Sequence, residues 1–130
     1  MFKKYNDTPA AIALGLFLLG ALFYGLQLAF MTDYFLATHE IDIAAIPLTR
    51  ALGAAYLGFS VGLILTFVNG PDGQRTFFIA LSVAQVLSFV FLWQARITGG
   101  FENVLLEDLI AISVLTVLLL FGFFKLRSRL

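Results

Sequence analysis

Residues 9–31 read PAAIALGLFLLGALFYGLQLAFM, an unbroken run of 23 positions with no formal charge. A helix rising about 1.5 Å per residue needs roughly 20 such residues to cross about 30 Å of hydrocarbon. A secretory leader has an apolar segment of only about 7–15 residues and a small-residue cleavage site. This run is longer and ends in Met31-Thr32-Asp33-Tyr34, so it is expected to stay in the protein as a first membrane helix. Three further apolar stretches follow, at 48–68, at 76–92 with Trp93 beyond, and at 109–124.

The rest of the composition agrees. Of 130 residues, 61% are hydrophobic and 12% charged, and the mean hydropathy is +0.98. Soluble domains carry about 25% charged residues, so water is excluded as the solvent. The expected fold is all-α: a polytopic membrane protein forming an antiparallel up-down four-helix transmembrane bundle. It is a single transmembrane domain over 1–130, with helices at roughly 9–31, 48–68, 76–97 and 107–125. There are no cysteines, which removes paired-thiol redox chemistry and thiolate-held iron–sulfur clusters.

The zero net charge conceals a separation. An even number of crossings puts both termini on one side with the second connection. That side carries Lys3, Lys4, Asp7, Asp72, Arg75, Lys125, Arg127 and Arg129, a net +4. The opposite side carries Asp33, Glu40, Asp42, Arg50, Arg96, Glu102, Glu107 and Asp108, a net −4. Basic residues in short loops collect on the cytoplasmic face, so both termini are expected there, in a bacterial inner membrane. The Asn69-Gly70-Pro71-Asp72-Gly73 turn predicts a tight hairpin between the second and third helices. Thr98-Gly99-Gly100-Phe101 ends the third helix. Residues 32–47 read as a mixed segment lying at the membrane surface.

Hydrophobicity cannot draw helices together in lipid, so close packing and interhelical hydrogen bonds must do so. Ala54, Gly58 and Gly62 lie four apart on the second helix; Ala11–Gly15 and Ala21–Gly25 repeat the interval on the first. These rows are expected to touch. Ser82, Gln85, Ser88 and Arg96 fall on one face of the third helix, which should point inward because an amide in hydrocarbon needs partners. The fourth helix, the most uniformly apolar, is expected to be the most lipid-exposed.

Candidate chemistry gathers at one rim. Arg50 opens the second helix and Arg96 closes the third at the same depth. Tyr24 and Gln27 sit in the outer third of the first helix, and Glu107 and Asp108 begin the fourth. Guanidinium forks match carboxylates or phosphates. Two readings stay open: a structural ring of salt bridges, or a ligand site for amphiphilic anions using Arg50, Arg96, Gln85, Gln27, Glu107 and Asp108. The segment His39-Glu40-Ile41-Asp42 matches no metal-site spacing and reads as a solvated loop, so no metal and no cofactor is expected. There is no mid-membrane Lys or carboxylate, no catalytic triad, no phosphate-binding loop and no basic aromatic patch for nucleic acid.

From residue 48 the second helix reads LTRALGAAYLGFSVGL. The Arg50, Gly53, Gly58 and Gly62 pattern resembles small bacterial four-helix membrane proteins of the DoxX-like group. The resemblance implies an up-down bundle and an accessory role beside a larger membrane enzyme, and transfers no catalytic residue. With no nucleophile, metal set or mid-membrane acid, and with small-residue faces suited to partner helices, the expected function is a non-catalytic accessory or scaffold subunit of a larger membrane complex. Its partners would be the lipid bilayer and other membrane proteins or further copies of itself. The alternative is a small binder or transporter of amphiphilic anions; an enzyme acting on a lipophilic substrate is a third reading.

Overall fold

A computed structural model describes residues 2–99 and 104–130. Its long helices are α1 (Thr8–Phe30), with a short α2 (Thr32–Thr38) after it, then α3 (Ile46–Asn69), α4 (Arg75–Ile97) and α5 (Leu106–Leu126). The four long helices are each long and apolar enough to span a bilayer. The protein is an all-α membrane bundle, with no strand among the described residues. Gly100, Phe101 and Glu102, which enter the expected break after α4 and the charge balance, lie outside the described residues.

Local chemistry sets the helix ends. The Asp7 carboxylate accepts the Ala10 N–H at 3.1 Å, and Pro9 occupies the first turn of α1, where a missing N–H breaks no helical bond. Pro47 does the same for α3. Gly70 and Gly73 turn the chain between α3 and α4 with φ of +99° and +76°, values that a side chain opposes.

α1 is the central helix. It packs along α3 on one side and α5 on the other, while α4 rests on α5. Leu14, Phe17, Leu63, Phe67, Phe78 and Leu119 are buried together at the heart of the bundle. Phe23, Val61, Phe91 and Val117 point outward, as they must when the surrounding solvent is lipid.

Three expectations are revised. α3 and α4, although joined by a tight turn, make little backbone contact. Near the turn Phe77 of α4 reaches Gly62, where a methyl group would lie 2.6 Å from its ring. Second, α3 comes tight against α1 at Gly53, whose added methyl would lie 2.5 Å from the Ala29 nitrogen. A methyl group on Gly25 would lie 3.0–3.2 Å from Leu57 and Tyr56, while one on Gly58 would meet nothing within 4 Å and Ala54 is exposed. Gly15 is half-buried. Third, α4 has the smallest buried share, 22% against 33% for α5. α5 is held between α1 and α4, and that sandwich covers it.

The end that carries both termini is stapled. Tyr5 stacks on Phe67 at 4.5 Å and donates its hydroxyl hydrogen to Thr66, whose own hydroxyl donates to the Leu63 carbonyl at 2.7 Å. Burial pushes the Tyr5 phenol up to about 12, although the Thr66 bond acts in the opposite direction. Arg129 donates to Asp72 at 2.8 Å and to the Lys4 carbonyl at 3.0 Å, and Lys125 lies 3.7 Å from Asp7.

Candidate functional site

The opposite end is hollow. A cavity of about 290 Å³ lies between α3 and α4, backed by α1 and α5 and roofed by α2 and the residues after it. This is close to the lower end of the range for small-molecule sites, about 300–1,000 Å³. On α5 its wall runs from Asp108 to Leu115, a drop of about 10 Å from the rim toward the bundle centre at 1.5 Å per residue. Most of the wall is apolar, including Leu28, Phe35, Leu52, Leu92, Ile112 and Leu115. Its polar groups are Tyr24, His39, Thr49, Tyr56, Gln85 and Asp108.

Asp108 organises the rim. Its Oδ1 accepts the Tyr24 hydroxyl at 3.0 Å, and its Oδ2 lies 2.5 Å from His39 Nε2. His39 follows α2, stacks on Phe35 at 4.0 Å, and is only 7% exposed. The bend after it depends on Glu40, which adopts a left-handed φ of +54°. The solvated-loop reading of this segment is thus overturned for His39: the apolar Phe35 face and the Asp108 carboxylate draw the ring inward.

The hydrogen bonds assign the protons of this pair. His39 Nδ1 is 2.8 Å from the Phe35 carbonyl oxygen, which can only accept, so Nδ1 carries hydrogen. A second hydrogen must then lie between Nε2 and Asp108 Oδ2. The pair is therefore an imidazolium facing a carboxylate, or its neutral equivalent, with zero net charge and one exchangeable proton.

Deeper in, Gln85 is 4% exposed and donates from Nε2 to the Thr116 hydroxyl at 3.1 Å. Thr116 passes its own hydrogen to the Ile112 carbonyl at 2.7 Å. Trp93 donates to Ser113 at 2.9 Å, so two polar links hold α4 on α5. Tyr56, half-buried on α3, also lines the cavity.

The residues singled out at the rim divide. Asp108 and Gln85 line the cavity. Arg50 and Arg96 are exposed and stand outside its wall; Arg96 donates to the Val104 carbonyl at 3.4 Å. Gln27 is half-buried and Glu107 exposed, both also off the wall. Asp108 bonds to His39 and Tyr24 instead of to an arginine. Among the described residues, no three His, Asp or Glu side chains gather as a metal site. Sequence reasoning missed His39, Tyr56 and Phe35 as cavity residues. The one available signal was a lone histidine four residues after Phe35, the spacing of one helical face.

Comparison with protein-family models, curated proteins and solved structures finds no match.

Proposed function

We propose that the protein is a non-enzymatic binder of an amphiphilic small molecule, whose apolar body fills the cavity and whose polar end meets the rim. The observation that carries this reading is the cavity itself: an apolar chamber with Gln85 at depth and the Asp108 cluster at its mouth. A bundle serving only as a scaffold has no need of an apolar recess with polar groups placed at its depth and mouth. The loosely packed α3–α4 side gives a lipophile a route from the bilayer. The separation of +4 from −4 favours both termini in the cytoplasm, with the mouth in the outer leaflet of a bacterial inner membrane.

Enlarging a wall residue tests this. Ile112→Phe should fill the chamber and remove small lipophiles that copurify with the protein, as read by mass spectrometry of extracts. The melting temperature should hold or rise. Equal lipophile content in both proteins counts against the chamber as a ligand site.

The accessory or scaffold reading rests on a different observation, the open outer face of α3 at Ala54, Ala55 and Gly58. Small residues facing lipid would let a partner helix approach closely. Purification from native membranes should then recover a second membrane protein, and Gly58→Leu should release it. A monodisperse monomer in mild detergent opposes that reading.

A further inference from the structure

The charge at the mouth of the chamber is exchangeable, and this bears on what the chamber takes. Among the described residues, no Lys or Arg lines it. Among the described residues of the wall, the Asp108 carboxylate is paired with His39, a group that can give up its positive charge by losing one proton. Aromatic rings of Tyr24, Phe35 and Tyr56 share the wall, and their faces attract cations.

The groups around Asp108 come from every neighbouring element. Tyr24 is supplied by α1, His39 by the turn after α2 and Tyr56 by α3. α4 brings Gln85, with Arg96 further out on the Val104 carbonyl, and Glu107 precedes Asp108 on α5. An anion entering here would face Asp108 with His39, the counter-charge among the wall's described residues, already paired. A cation would face a carboxylate whose present partner can leave as a neutral ring.

We propose that the chamber binds a lipophilic organic cation, which takes the place of the His39 imidazolium against Asp108 and releases one proton. The proposal rests on the chamber being a ligand site and names the head group that site selects. The exchange balances. One positive charge enters, one proton passes from His39 Nε2 to water, and the neutral ring keeps its Nδ1 hydrogen on the Phe35 carbonyl. The site is electroneutral before and after. Because proton and cation compete, affinity rises with pH, by about tenfold per unit while the free protein still holds the exchanged proton.

The test uses the full chain in lipid nanodiscs, with empty nanodiscs as background, and calorimetric titration with three probes sharing one tail: hexyltrimethylammonium, hexanol and hexyl sulfate. Runs in buffers of different ionisation enthalpy count the protons released. The cation should bind at least tenfold tighter than the sulfate and release about one proton. His39→Gln should keep cation binding but abolish proton release and the pH dependence. Asp108→Asn should weaken the cation at least tenfold and still bind hexanol, which also shows that the chamber has folded. Sulfate binding as tight as the cation, or cation binding without proton release, overturns the exchange. Failure of all three probes overturns the chamber as a ligand site as well.

Discussion

Two glycines on α3 behave oppositely although the sequence presents them alike. Gly53 faces the backbone of Ala29, which cannot swing aside as a side-chain tip can. Gly53→Ala should therefore cost about 1–3 kcal/mol, as overpacking of a tight contact does. A methyl group added at Gly58 would meet nothing within 4 Å, so Gly58→Ala removes only backbone freedom and should be neutral or gain up to about 1 kcal/mol. Thermal denaturation of both variants in one detergent compares them. A Gly58→Ala loss matching that of Gly53→Ala would show that α3 meets α1 along the other row. Spacing alone could not separate these rows, because Gly53 and Gly58 are five residues apart and point to different sides of the helix. The deciding fact is the position of Ala29, which belongs to another element.

Helices were legible as elements because lipid imposes a length and a polarity that water does not. All four spans stand within a few residues of the apolar stretches at 9–31, 48–68, 76–92 and 109–124. The inward face of α4 was legible for a similar reason at Ser82 and Gln85, which are costly toward lipid and are both buried, but not at Arg96, which lies on the same arc and is exposed. The segment at 32–47 was less legible. α2 has only seven residues, too few to carry a clear helical period. The burial of His39 depends on Asp108, 69 positions later. The cavity was not legible at all, since a void is set by the distance between helices and no residue type encodes it. Exposure of α4 likewise followed from α1 taking the central place.

Across the whole molecule the two ends differ in kind. The end bearing the termini is closed by Tyr5, Arg129 and Lys125, while the other holds the chamber. Tyr5 gives the closed end a pH signature. Its phenol lies at about 12 when folded, against 10 for an ordinary tyrosine. Below pH 10 the phenol is neutral in both states and its contribution is whole. Above pH 10 the unfolded chain ionises first, so stability falls as pH rises through the window from 10 to about 12. Tyr5→Phe keeps the stack on Phe67 but should remove that part of the alkaline loss. Denaturation midpoints of the two proteins from pH 8 to 12 check this; parallel curves would refute it.

The central place of α1 also bears on how the protein is made. Translation delivers α1 before α3 and α5, so the helix most enclosed in the finished bundle waits longest among lipids without its neighbours. Its enclosed positions are Ala10, Ala11, Ala13, Leu14, Phe17, Leu18, Ala21, Gly25 and Leu28, and none of their side chains needs a hydrogen-bond partner during that wait. The span-to-span bonds at Gln85–Thr116 and Trp93–Ser113 instead join two helices emerging in succession. A polar group that enters oil late, with its acceptor close behind, spends little time unsatisfied.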